Sequence, residues 1–345
     1  MKMAEIEATN RCNTRCLHCP REALTRPLGM MSWDVFRTVA DKVLGDGQFE
    51  AVCFSGMGEP TLNPELPRFI GHLRGEIATS LTTNASTLTV HKTRELVDAG
   101  LGQAIVSFCG DDQELYRLMT GGLSLGQADR QIRDLVAQGA DKVRVSANVS
   151  VALPNHGRLS GIRSHLEELG VHDVTFAMCH NRGGYLDDPS VCQTPLPPSG
   201  EGRCDIFANT LYVAWNGQVL SCCHDLGGQG YIGDLMSEDL DQILDRKQCI
   251  MQTGVRFPMC KDCNDMYRFE RDPTPDGRPL SEWIYGLYGH PEGQQAELLD
   301  VVRRQEARIR ELEQVVRGYE RGRFIRFAGW LQRVRCTLRR RLRVS

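Results

Sequence analysis

The chain has 345 residues, 41% apolar and 25% charged, with 14 cysteines and a formal net charge of −3. Such a length gives roughly two domains and a sizeable core. No apolar run approaches the ~18 residues of a membrane span, and the opening "MKMAEIEATN" has no apolar signal-peptide core, so the expectation is a cytoplasmic protein.

In chain order, residues 4–9, 51–56, 77–84, 103–109, 142–150 and 173–179 read as short strands. Between them, 32–44, 89–100, 124–139 and 158–170 read as helices, with Ser32 and Thr89 as N-caps and Gly100, Gly139 and Gly170 as stops. This alternation predicts an α/β fold, a partial (β/α)6 TIM-like barrel of parallel strands with ligands at the strands' C-terminal ends. Residues 181–203 are rich in Gly, Pro and Asp and read as a linker. A hairpin with an Asn-Gly turn follows at 210–223, then a helix near 238–252, and the chain turns helical after 271–279.

Cys12, Cys16 and Cys19 stand as C-x3-C-x2-C directly after the first strand. Clustered thiols in a reducing compartment point to metal rather than disulfides. Four thiolates saturate a zinc ion or an iron–sulfur cubane; three leave one iron open to a substrate or cofactor. A zinc knuckle completed by His18 is the alternative.

That triad, in that place, resembles the signature of the radical S-adenosylmethionine (SAM) superfamily. The resemblance implies a 4Fe–4S cluster held by Cys12, Cys16 and Cys19, whose open iron chelates SAM, and cleavage of SAM to a 5′-deoxyadenosyl radical that abstracts hydrogen from substrate. "SGMGEP" (55–60) resembles the family's glycine–glutamate motif, which puts Gly56, Gly58 and Glu59 at the cofactor. "TTNA" (82–85) resembles the end of the third strand and brings in Asn84. In "VSFCGDDQELYRLMTGG" (106–122), which resembles the fourth strand and its helix, Ser107 is placed to touch SAM, and Cys109 stands close to where many members carry Asp. Arg144 and Asn148, on the fifth strand, are candidates for SAM's carboxylate or ribose.

Cys204, Cys222 (four residues intervening after Gly217), Cys260 and Cys263 resemble the auxiliary-cluster region called SPASM in its short "twitch" form. The resemblance implies one further 4Fe–4S cluster with all four irons ligated; a structural zinc site on the same residues, or Cys223 in place of Cys222, are the alternatives. A saturated cluster suits electron transfer, and in related enzymes radical formation on an alcohol or amine carbon is followed by proton loss and electron transfer to such a cluster. His224 and Asp225 are candidate bases, Asp225 by family resemblance. Cys109 is a candidate hydrogen-atom donor, which would favour epimerisation. Cys53, Cys179, Cys192, Cys249 and Cys336 read as packing residues.

The end of the chain is a separate problem. From Arg321 onward there are nine arginines and no acid, so that segment is +9 and residues 1–320 sum to −12. Residues 298–320 carry heptads through Val302, Ile309, Val316, Leu298, Leu312 and Tyr319, with polar Gln305 between, and suit a homodimeric coiled coil or a packed helix. Residues 323–344 form a basic amphipathic stretch with Phe324, Phe327, Leu331, Val334, Leu338 and Leu342 on one face, fit for an anionic membrane surface or an acidic partner. The acidic body disfavours nucleic acid. The expected organisation is a barrel at 1–200, an auxiliary-cluster domain at 201–270, and a linker and helical basic tail at 271–345.

The leading functional expectation is a radical SAM oxidoreductase that dehydrogenates a C–OH of a small polar substrate (sugar, aminocyclitol or nucleoside), the single auxiliary cluster resembling that of aminocyclitol dehydrogenases. Such an enzyme draws electrons from a flavodoxin or ferredoxin. A ribosomal-peptide maturase and a zinc-binding scaffold with a partner-recruiting tail are the alternatives.

Overall fold

The computed structural model describes residues 2–171, 173–192, 202 and 204–265. Six strands form the first part of the sheet: β1 (Met3–Ile6), β2 (Ala51–Phe54), β3 (Ala78–Thr83), β4 (Gln103–Phe108), β5 (Arg144–Val151) and β6 (Asp173–Met178). All neighbours among them pair in parallel, in the order 6-5-4-3-2-1. The helices between them are α1 (Trp33–Asp46), α2 (Leu66–Leu73), α3 (Val90–Ala99), α4 (Gln113–Thr120), α5 (Leu125–Gly139) and α6 (Leu159–Glu168).

The caps act as the sequence suggests. Ser32 accepts from the Val35 amide and Thr89 from the Lys92 amide, while Gly100 and Gly170 adopt left-handed conformations at φ 97° and 90°. Gly139 is a correction: α5 runs through it and the chain turns at Ala140, φ 36°. Helix α2 was not expected. Leu66, Phe69, Ile70 and Leu73 make its buried face, and Pro67 sits in its first turn, where a missing amide costs nothing.

Alternation along the strands divides the sheet into two faces. Ala4, Ile6, Val52, Phe54, Leu81, Val106, Phe108 and Val149 pack into one apolar core with Phe36, Phe69, Ile70, Leu96, Ile132, Leu135 and Ile162 of the helices. The opposite face is largely polar, with Glu5, Cys53, Ser80, Thr82, Gln103, Ser107, Ser146 and Asn148 at the alternate positions.

After the short helix α7 (Asp205–Asn209), strand β7 (Thr210–Val213) returns and pairs in parallel with β1, Met3 opposite Thr210. Strands β8 (Gln218–Leu220) and β9 (Tyr231–Asp234) then add antiparallel, and α8 (Leu240–Thr253) follows. The expected hairpin is thus β7–β8, and it extends the first sheet to nine strands. No helix among the described residues is long and apolar enough to cross a membrane. The heptads at 298–320, the basic stretch at 323–344 and Cys336 lie outside the described residues.

Candidate functional site

The loop after β1 carries the first three thiols, and its base is latched. Thr9 Oγ1 donates to the Gly29 carbonyl (2.7 Å), Asn10 Nδ2 donates to the Pro27 carbonyl (2.8 Å), and Asn10 Oδ1 accepts from the Gly29 amide (2.8 Å). From the other side the Leu17 amide donates to the Met119 carbonyl at the end of α4 (2.9 Å). Cys12, Cys16 and Cys19 are each half-buried on this loop. Burial, with the Cys19 and Cys12 thiols adding repulsion, pushes the Cys16 thiol up to about 11. Three thiols gathered on one loop form the donor set of a cationic centre. A cleft of about 510 Å³ runs along them, lined by Thr14, Arg15, Cys16, Cys19, Pro20 and Tyr185 among others.

The loop after β2 presses against this one. The Glu59 amide donates to the Arg11 carbonyl (2.8 Å), and a Cβ on Gly58 would fall 2.1 Å from the Thr9 carbonyl oxygen. Gly56, at φ 128°, abuts Glu7 and the Tyr212 hydroxyl. The Glu59 carboxylate faces protein rather than open space: it accepts from the Thr61 amide (3.1 Å), Thr83 Oγ1 (2.7 Å) and the Asn84 amide (2.7 Å). Burial raises its pKa against those bonds. Asn84 Nδ2 reaches Asn13 Oδ1 (3.0 Å), tying the end of β3 to the cysteine loop.

Glu7 is the central tie. It is wholly buried and accepts two bonds from Arg26 (2.9 and 3.0 Å), one from the Tyr212 hydroxyl (2.6 Å) and one from the Met57 amide (3.2 Å). One carboxylate therefore joins β1, the return of the cysteine loop, the glycine loop and β7.

Ser107 and Asn148 stand opposite each other on β4 and β5, on the polar face. Asn148 Oδ1 is buried without a hydrogen-bond partner among the described residues, as expected of an atom that meets a ligand. Arg144 is a correction. It opens β5, at the N-terminal edge of the sheet, where its Nε pairs with Asp173 (2.8 Å) and the side chain is largely exposed. The mouth lies at the other end of the strand.

The second thiol set comes together from three segments. Cys204 caps α7, its Sγ accepting from the Phe207 amide (3.5 Å). Burial pushes the Cys222 thiol up, and Cys204, Cys263 and Cys260 each add to that repulsion. Among the described residues the only set of three or more ligand atoms within 4.8 Å of one another is His180, His224 and Asp265. Burial pushes the Cys223 thiol up, with Glu5 and Cys222 adding repulsion, and its Sγ lies 3.8 Å from His224 Nδ1.

Two catalytic candidates are corrected. Asp225 is wholly buried, and its carboxylate oxygens accept from the Gln229 amide (2.9 Å) and the Gly230 amide (2.7 Å), the grip of a carboxylate that shapes its own turn. Cys109 is buried among Leu115, Met119, Ala152, Cys179 and Val191, and burial pushes its thiol up; apolar packing explains it. His224 fares differently. Its Nε2 lies 2.8 Å from Asp265 Oδ2 and its Nδ1 3.8 Å from Cys223 Sγ. His180 Nε2 approaches the same Asp265 oxygen at 3.5 Å. Sequence reasoning singled out neither His180, Arg182 nor Asp265, although they flank the end of β6 and the last cysteine pair.

Two sequence families match the chain: the radical SAM superfamily over residues 6–157, and SPASM, an iron–sulfur cluster-binding domain, over 204–264. A tungsten-containing aldehyde ferredoxin oxidoreductase cofactor-modifying protein of Pyrococcus furiosus is 26% identical over 252 residues, 64% of this chain and 71% of that one. Several probable GTP 3′,8-cyclases match over only 47–62% of their length. Among solved structures, BtrN in complex with AdoMet and 2-DOIA has a TM-score of 0.53 at 20% identity, covering 77% of this chain and 94% of its own. SuiB of Streptococcus suis bound to its precursor peptide SuiA has a TM-score of 0.60 at 13% identity, covering 77% and 70%. At those identities the likeness is one of fold.

Proposed function

The chain belongs to the radical SAM superfamily and carries a SPASM iron–sulfur domain, and from that premise we propose that it oxidises a C–OH carbon of a small polar molecule such as a sugar, aminocyclitol or nucleoside. The observation that carries the reading is the polar inner face of β1–β6, continued by His180, His224 and Asp265 beside the second thiol set. A sheet face lined with hydroxyls, amides and carboxylates suits a ligand rich in hydrogen bonds.

Cys12, Cys16 and Cys19 would hold the SAM-binding 4Fe–4S cluster, and Cys204, Cys222, Cys260 and Cys263 the auxiliary one. When bound, these groups supply hydrogen abstraction through SAM cleavage and an acceptor for the electron that oxidation releases. The chain's own part is placement. Gly58 brings the 56–59 backbone onto the cysteine loop, and Ser107 with Asn148 Oδ1 offers hydrogen bonds on the inner face. His224 donates from Nε2 to Asp265, which orients Nδ1, 3.8 Å from Cys223 Sγ, to accept the hydroxyl proton that the substrate loses once its carbon hydrogen has been abstracted. The barrel is assigned to residues 1–200, the auxiliary domain to 201–270 and the linker and tail to 271–345.

The test is deuterium transfer into 5′-deoxyadenosine from C-deuterated sugars, aminocyclitols and nucleosides. Label arriving only from a peptide would replace this reading with peptide maturation. A flavodoxin or ferredoxin is the electron source we assign. The basic stretch is assigned to an anionic membrane surface and residues 298–320 to a homodimer contact; equal liposome binding after deletion of 321–345 would remove the first, and a monomer in solution the second.

A further inference from the structure

We infer that the substrate carries an oxyanion, a carboxylate or phosphate, and that Arg182 binds it. The inference rests on the proposed small polar substrate and narrows its class.

Arg182 follows β6 and lies half-buried on the inner side of the fold. The turn that carries it bridges the two sulfur sites: Gly183 and Gly184 pack against Met259 and Asp262, beside Cys260 and Cys263, while Tyr185 lines the cleft with Cys16 and Cys19. A substrate must sit there to meet both. Yet the Arg182 guanidinium has no hydrogen-bond acceptor among the described residues; the bond the residue makes is main-chain, from the Arg182 amide to His180 Nδ1 (3.3 Å). The contrast with Arg26, doubly bonded to Glu7, is plain. A half-buried guanidinium without an acceptor keeps its donors available to a ligand.

The backbone is arranged to keep it there. Arg182 has φ 52°, a left-handed conformation rare for a non-glycine residue, and Gly183 and Gly184 continue at 73° and 87°. The turn is locked onto the last cysteine pair. The Asn181 amide donates to Asn264 Oδ1 (2.6 Å), and the Asn264 amide donates to Asn181 Oδ1 (3.2 Å). Asn181 Nδ2 also donates to the Asp262 carbonyl (2.5 Å).

The nearby acids are already engaged. Glu5 accepts from Ser55 Oγ, and burial raises its pKa toward the neutral form. Asp265 faces two imidazole Nε2 atoms. His18, coupled electrostatically to Arg182, has a buried Nδ1 without a partner among the described residues, a second polar atom that meets a ligand. A planar five-donor group left open beside it matches the two oxygens of a carboxylate or phosphate.

The experiment uses the full chain, anaerobically reconstituted, with SAM present. Equilibrium dialysis compares matched probes: glucose with glucose 6-phosphate and glucuronate, and cytidine with CMP. In the wild type at least one anionic probe binds about tenfold tighter than its neutral partner. Arg182→Gln abolishes that preference and Arg182→Lys restores part of it, with iron content and SAM affinity unchanged. Equal binding of neutral and anionic probes by the wild type would overturn the inference while leaving the proposed function intact. Binding of none would overturn both. Loss of SAM affinity in Arg182→Gln, with the preference for anions retained, would assign Arg182 to the SAM carboxylate and overturn it as well.

Discussion

Replacing Gly58 by alanine isolates the contact on which the cofactor end of the site depends. Gly58 is not in a left-handed conformation; what it provides is room. An added Cβ would stand 2.1 Å from the Thr9 carbonyl oxygen and 2.6 Å from that of Arg11. A carbon and a carbonyl oxygen tolerate about 3.3 Å, so the loops must part by more than about 1 Å. The opposing atoms are backbone, latched by Thr9 and Asn10 to residues 27–29, and cannot swing aside. Separation breaks the bond from the Glu59 amide to the Arg11 carbonyl, 2.8 Å. Overpacking costs about 1–3 kcal/mol and the lost bond about 1 kcal/mol, giving a loss of about 2–4 kcal/mol. Gly71 is the control: it lies within α2, and a Cβ there meets nothing within 4 Å. Gly71→Ala should be neutral or stabilising by up to about 1 kcal/mol. The assays are the anaerobic thermal midpoint and SAM binding by dialysis. Gly58→Ala with both unchanged would refute the reasoning.

Cys222→Ser should lower iron in the reconstituted protein from about eight to about four per chain, whereas Cys223→Ser should keep it; equal losses would make the two thiols interchangeable. Arg26→Met strands the buried Glu7 carboxylate and should cost about 3–5 kcal/mol by chemical denaturation; Arg26→Met with unaltered stability would show that Glu7 does not hold the loops. Lys247, buried, donates to the Phe207 and Thr210 carbonyls at 2.7 Å each. Lys247→Met leaves both unsatisfied and should destabilise by about 2–3 kcal/mol; the denaturation midpoint checks it. Asp225→Asn should lower stability but keep deuterium transfer and product formation, while His224→Gln should keep transfer and lose oxidised product; the reverse pattern would return the base to Asp225.

What the sequence disclosed is what local spacing encodes. Strand–helix alternation placed all six parallel strands, and the C-x3-C-x2-C triad sat on the loop that follows β1. Helix α2 carried a readable pattern at 66, 69, 70 and 73, interrupted by prolines at 64 and 67. Arg144 was misplaced because a strand boundary two residues too early put it inside β5 instead of at its edge. Asp225 looked like a base through family resemblance; only the fold reveals the backbone amides on its carboxylate. Asn181 and Asn264 are 83 positions apart, and no periodicity links them, so the setting of Arg182 was invisible until the turn closed.

Strand β7 lies in register along the whole of β1, and Tyr212 reaches across to Glu7. One ladder therefore runs from the first half into the second, and the segments that carry the two thiol sets grow from a single nine-stranded sheet. If electrons pass from one sulfur site to the other, as proposed, that shared sheet sets the distance they cross.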